Sequence, residues 1–155
     1  MGNLIFGLTA LLVLTADQLT KLWISSILYP GQTLWSFSFL NIILVHNSGA
    51  AFGLFQGQFL PLVIIRSFGA VLVLLIVILI GRQLQSWGGK LIMLALGLVL
   101  GGTLGNLIDQ LRFHYVVDFI DTTYWPVFNV ADSSVVIAMF ILAFLVLWPR
   151  KAKTI

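Results

Sequence analysis

Four long apolar runs, separated by connections of very unequal length, set the plan of the chain. They cover residues 4–24, 60–81, 90–109 and 132–148. Each is near the ~20 residues that carry a helix across a hydrocarbon core. Between the first and second runs the period changes. After the turn residues Tyr29, Pro30 and Gly31, the aromatics Trp35, Phe37 and Phe39 alternate with Ser36 and Ser38, and a β-branched-rich stretch follows at 42–45. Alternation at period two predicts strand. It belongs outside the hydrocarbon, because unpaired strand edges are not tolerated in lipid. The pattern therefore predicts a mainly α membrane protein, one domain over residues 1–155, with outer connections at 25–59 and 110–131. Four spans place both termini on the same side.

Composition agrees: 60% hydrophobic and 8% charged residues lie far outside the soluble range. Charge placement then orients the chain. Arg82 and Lys90 flank the short second connection, and Arg150, Lys151 and Lys153 form the tail, so these segments and both termini are expected in the cytoplasm. The basic balance follows from this placement and is not a nucleic-acid signal. The chain has no cysteine, which excludes thiol catalysis, thiolate metal sites and disulfides. The run 4–16 also has the length of a signal-peptide core. No Lys or Arg precedes it and the helical pattern continues to Trp23, so a retained first span is expected.

The candidate chemistry lies in the acids. All five are aspartates, at 17, 109, 118, 121 and 132, and with this topology all fall at the outer helix ends or in the outer connections. A charge in or beside a membrane segment is costly and is kept where something offsets the cost. The stretch 116–132 concentrates three of them among apolar residues, with Asp118 and Asp132 the foremost candidates. Two carboxylates in a dry site cannot both ionise cheaply, so one keeps its proton and the pair offers an acid and a base at one pH. Such a pair can activate water against a peptide carbonyl.

Other positions have simpler readings beside the functional one. Asp17 and Lys21 stand at i, i+4 and read as a helix-end ion pair with Lys21 snorkelling to headgroups. Arg66, near the outer end of the second span, reads as another snorkelling side chain and not as catalytic. Asn129 and Asp132 suit a helix start. The stretch 46–53, with Asn47 and Gly49 in it, reads as a substrate-facing loop or an ordinary turn. Gly97, Gly101 and Gly105 form a small-residue ridge for tight helix contact, and Gly102, Asn106 and Asp109 line a neighbouring face. A serine nucleophile has no recognisable base spacing. Zinc is disfavoured by two distant histidines, His46 and His114. Calcium on the aspartates, or a proton or ion pathway through them, stays open and gives the rival function: a small ion- or proton-handling membrane protein.

Together the motifs DQLTK at 17–21, NSGAAF at 47–52, GNLID at 105–109, VVDFID at 116–121 and WPVFNVADS at 125–133 resemble those of the bacterial lipoprotein signal peptidases, or type II signal peptidases. The resemblance implies an aspartic endopeptidase of the bacterial cytoplasmic membrane, with four spans and a small extracytoplasmic β-sheet cradle. It would cut prolipoproteins before a diacylglyceryl-modified cysteine without a metal or other cofactor. Partners would be lipid-modified precursors and membrane lipids, with peptide antibiotics of the globomycin type as inhibitors. Carried over by position, the catalytic pair is Asp118 and Asp132. Asp17, Lys21, Asn47, Gly49, Asn106, Asp109, Arg112 and Asn129 would bind substrate or support the pair. The chain departs from the family pattern at Gln110, where an arginine is usual, and at His114, where a small residue is common. Arg112 is expected to take over the missing charge, and Arg66 or Arg112 to meet lipid phosphate.

Overall fold

A computed structural model of the chain describes residues 1–49, 54–84 and 86–147. Four helices are long and apolar enough to cross a membrane: α1 (Gly2–Ile27), α2 (Phe59–Ile80), α3 (Trp87–Phe113) and α4 (Val130–Leu147). The expected spans are all present, with shifted ends. The third runs past 109 to Phe113, so the second outer connection begins later than its predicted start at 110. At 27 residues, α3 is about 40 Å long at 1.5 Å per residue, more than the ~30 Å of a hydrocarbon core. Trp148 of the fourth predicted span, the basic tail residues Arg150, Lys151 and Lys153, and residues 50–53 of the predicted loop lie outside the described residues.

The remaining elements are strands β1 (Thr33–Phe37), β2 (Leu40–Asn47) and β3 (Val116–Asp121), in one antiparallel sheet ordered β1-β2-β3. The alternating stretch forms the β1–β2 hairpin, with Ser38 in the left-handed region (φ 53°) at its turn. The strand character of 116–121 was not foreseen. Four of its six positions are buried in succession, so the period-two signature of a half-exposed strand is missing.

Helix α3 is the central element, packed against α1, α2 and α4. The predicted glycine ridge makes this possible. A Cβ at Gly97 would stand 2.7 Å from the Phe6 carbonyl oxygen, and one at Gly101 2.7 Å from that of Ala10, so α1 lies directly on α3 as small-residue packing allows. One core, including Phe6, Ala10, Val73, Val77, Met93 and Leu100, joins α1, α2 and α3. A second, of Ile24, Leu44, Val117 and Phe119, seats the sheet on the end of α1. The sheet, both long connections and the ends of all four helices that adjoin them lie together by connectivity.

His114 caps α3 in the left-handed conformation (φ 63°). A side chain there costs on the order of 1 kcal/mol, and an edge-on contact with the Phe59 ring at 4.5 Å opposes that cost.

Candidate functional site

Helix α4 starts on a reciprocal cap. The Asp132 N–H donates to Asn129 Oδ1 at 2.9 Å, and the Asn129 N–H donates to Asp132 Oδ2 at 3.2 Å, which satisfies donors that a helix start leaves unpaired. The helix-start reading of these residues thus holds, and the same two side chains also reach further. Asn129, fully buried, donates its amide to Asp118 Oδ1 at 2.7 Å and to Asn106 Oδ1 at 3.0 Å. Asn106 donates its own amide to Asp132 Oδ1 at 2.8 Å. Asp118, on β3, takes a further bond from Asn47 Nδ2 at 2.8 Å. Asn47 is held in turn, its Oδ1 accepting the Gly49 N–H at 3.0 Å. A Cβ at Gly49 would stand 3.0 Å from the Leu54 carbonyl oxygen, so the loop closes tightly there.

Lys21 corrects the snorkelling reading. It is 3% exposed, and its ammonium meets Asp17 at 2.8 Å, Asp109 at 3.0 Å and Asn106 Oδ1 at 2.9 Å. Three donors thus find three acceptors inside the helix bundle. Because Asn106 Oδ1 accepts from both Lys21 and Asn129, its amide nitrogen must face Asp132, so α1 orients a group that bonds the α4 carboxylate. Asp17 also accepts the Ala131 N–H at 2.9 Å. It packs where a Cβ at Gly105 would collide with its carboxylate, so the third ridge glycine makes room for an acid.

Asp109 is held by Lys21, by Gln18 Nε2 at 3.0 Å and by the Val117 N–H at 3.1 Å. Arg112, the expected substitute for the missing arginine, is exposed and lies over the Phe113 ring at 5.1 Å, and among the described residues the ion pairs of Asp109 and Asp17 go to Lys21. Arg66 does not snorkel outward. Its Nη1 donates to buried Gln110 Oε1 at 2.7 Å. Gln110 and Arg66 are the site neighbours that sequence reasoning missed, although the unusual residue at 110 was the available signal. Asp121 stands apart, bonded to Asn41 and to the Thr123 N–H.

Asp118 and Asp132 line one cavity of about 310 Å³ with Asn47, Gly49, Arg66 and Asn106, and with Trp125, Val127, Phe128 and Met139 on its apolar side. Burial, and after it the charge of Asp132, pushes the Asp118 carboxyl up to about 7. Asn47 and Asn129 oppose the rise by bonding its ionised form. A carboxyl that keeps a proton near neutral pH beside a second carboxylate can give a proton and take one in the same cavity. Among the described residues no three His, Asp or Glu side chains converge as metal ligands; Lys21 occupies the space between Asp17 and Asp109.

The sequence profile described as signal peptidase (SPase) II matches residues 9–148. A lipoprotein signal peptidase of Moorella thermoacetica is 44% identical over 145 residues, covering 93% of each chain. One of Halothermothrix orenii is 37% identical, covering 93% of this chain and 95% of its own. Among solved structures, a bacterial membrane enzyme superposes with a TM-score of 0.83 at 30% identity, over 97% of this chain and 93% of its own.

Proposed function

Starting from the chain's membership of the signal peptidase II family, the aspartic lipoprotein signal peptidases that cleave signal peptides from prolipoproteins, we propose that Asp118 and Asp132 are its catalytic pair. The observation that carries this is their meeting in one cavity, tied to each other through Asn129, with Asp118 protonated up to about pH 7. The ionised carboxylate takes a proton from water as that water attacks the scissile carbonyl, and the protonated partner donates to the carbonyl oxygen. Collapse of the tetrahedral diol transfers a proton to the amide nitrogen and breaks the C–N bond, leaving a carboxyl group and an amine. The shared proton belongs to the pair as a unit.

Lys21, Asn106, Asn129, Asp109 and Asp17 act through the pair by fixing its orientation. Asn47 and Gly49 close the cavity from the sheet side. The substrate is a precursor whose cysteine carries a diacylglyceryl group: the cavity has an apolar wall of Trp125, Val127, Phe128 and Met139 beside its two carboxylates, which suits a lipid-modified peptide whose acyl chains stay in lipid. Arg112 would meet lipid phosphate, a reading its exposure at the end of α3 supports. Peptide antibiotics of the globomycin type would occupy the same cavity. The termini lie in the cytoplasm and the site at the outer face of the bacterial cell membrane, as the distribution of Arg82, Lys90 and the tail argues. Ion or proton conduction is not favoured by the family.

The test is cleavage of a lipidated precursor peptide by purified protein. Asp118→Asn and Asp132→Asn should each abolish cleavage while the protein inserts and unfolds thermally as wild type does. Cleavage at the wild-type rate by either variant would refute the assignment.

A further inference from the structure

Gln110 is fully buried and neutral, yet its amide serves a cation. Its Oε1 accepts from Arg66 Nη1 at 2.7 Å, and its Nε2 donates to the His114 carbonyl oxygen at 3.2 Å. Arg66 comes from α2 and Gln110 from the last turns of α3, so the guanidinium is fixed from a second helix. It lines the cavity that holds Asp118 and Asp132, and both lie within its electrostatic reach. Among the described residues the ion pairs are those of Asp17 and Asp109 with Lys21. A neutral amide positions a guanidinium without cancelling its charge, which a carboxylate in the same place would do.

The network that orients the two aspartates closes through Lys21, Asn106, Asn129 and Asn47, without Arg66. Holding a charged group beside this cavity costs free energy; the nearby charges of Asp132 and Asp118 offset part of it, and an entering chain with acceptors can offset more. A polypeptide laid across the pair brings backbone carbonyls that lose water and need donors. The Asn47 and Asn106 amides are engaged with the carboxylates, whereas a guanidinium carries five N–H donors and no acceptor.

We propose that Arg66, pinned by Gln110, binds a backbone carbonyl of the precursor beside the scissile bond and so sets where the chain rests against the pair. The inference depends on Asp118 and Asp132 being catalytic. It is tested by cleavage kinetics on a lipidated precursor peptide, with thermal unfolding measured on the same samples. Arg66→Gln should raise KM about 10- to 100-fold, the range of one charge-assisted hydrogen bond, with a much smaller change in kcat. Arg66→Lys should recover part of the loss. The exchange Arg66→Gln with Gln110→Arg, which returns a guanidinium to the same corner from α3, should recover KM relative to Arg66→Gln alone. A wild-type KM for Arg66→Gln, in a protein that Asp118→Asn inactivates, would overturn the role of Arg66 and leave the catalytic pair standing. Cleavage by Asp118→Asn would bring down both. A fall in thermal midpoint with kcat and KM unmoved would reduce Arg66 to a structural tie and overturn the proposal.

Discussion

Asn129 shows how much one side chain can carry. It caps α4 through Asp132, donates to Asp118 and donates to Asn106, so the two carboxylates and the α3 amide share one geometric reference. Asn129→Ala should therefore reduce kcat as well as stability, a combination that loss of a cap alone, worth about 1 kcal/mol, does not predict. The proton on Asp118 gives a second prediction at this scale. Its carboxyl titrates near 7, so kcat/KM should fall as pH rises through about 7 and the pair loses its acid. Asn47 stabilises the ionised form, so Asn47→Leu, which removes that bond without opening the cavity to water, should move this limb to higher pH. A limb that stays put or shifts downward would contradict the assigned cause. Lys21→Met would leave Asp17 and Asp109 buried without their counter-ion. Breaking a buried pair from one side costs about 3–5 kcal/mol, so a lower thermal midpoint than that of Asp118→Asn is expected.

At the scale of elements, the α1–α3 contact decides whether the site exists. Gly97 and Gly101 let the helix backbones touch, and Gly105 leaves the space that the Asp17 carboxylate fills. Gly101→Val should therefore destabilise the bundle by about 1–3 kcal/mol, as overpacking does, seen as a lower thermal midpoint. Gly105→Ala should act more locally, displacing Asp17 from Lys21 and Ala131 and lowering kcat more than stability. Equal losses of stability at both positions, with kcat untouched, would show that Gly105 serves packing alone.

For the whole molecule, the sheet and the polar ends of the helices share one end of the bundle, and the short connection after α2 lies at the other. The absence of cysteine makes this easy to test, because a single introduced thiol is the only one to label. Tyr124, 89% exposed beyond the sheet, and Gln83, in the short connection, should behave oppositely as Tyr124→Cys and Gln83→Cys. The first should react with an impermeant reagent in intact cells, the second only after permeabilisation. Labelling of both from outside would reject the four-span arrangement.

Much of this was legible in the residues. The four spans, the strand character near residues 35–45 and the glycine ridge all follow from local pattern, because hydropathy and period are properties of neighbouring residues, and the polar motif positions follow from their resemblance to a family. The strand at 116–121 was not, since a strand buried along most of its length has no alternation to read. The Asp17–Lys21 pair was legible at i, i+4, but Lys21 and Arg66 were also read as snorkelling because a span examined alone shows a long cation nothing on other helices. Their partners beyond their own helices, Asp109, Asn106 and Gln110, come from α3, as much as 88 positions away in the case of Lys21 and Asp109. The sequence by itself determined that four helices cross a membrane and that aspartates gather at one end of them. Only the tertiary structure decided which helix each polar group faces, because in a bundle that choice depends on how closely backbones approach and so on glycines far along the chain from the groups they admit.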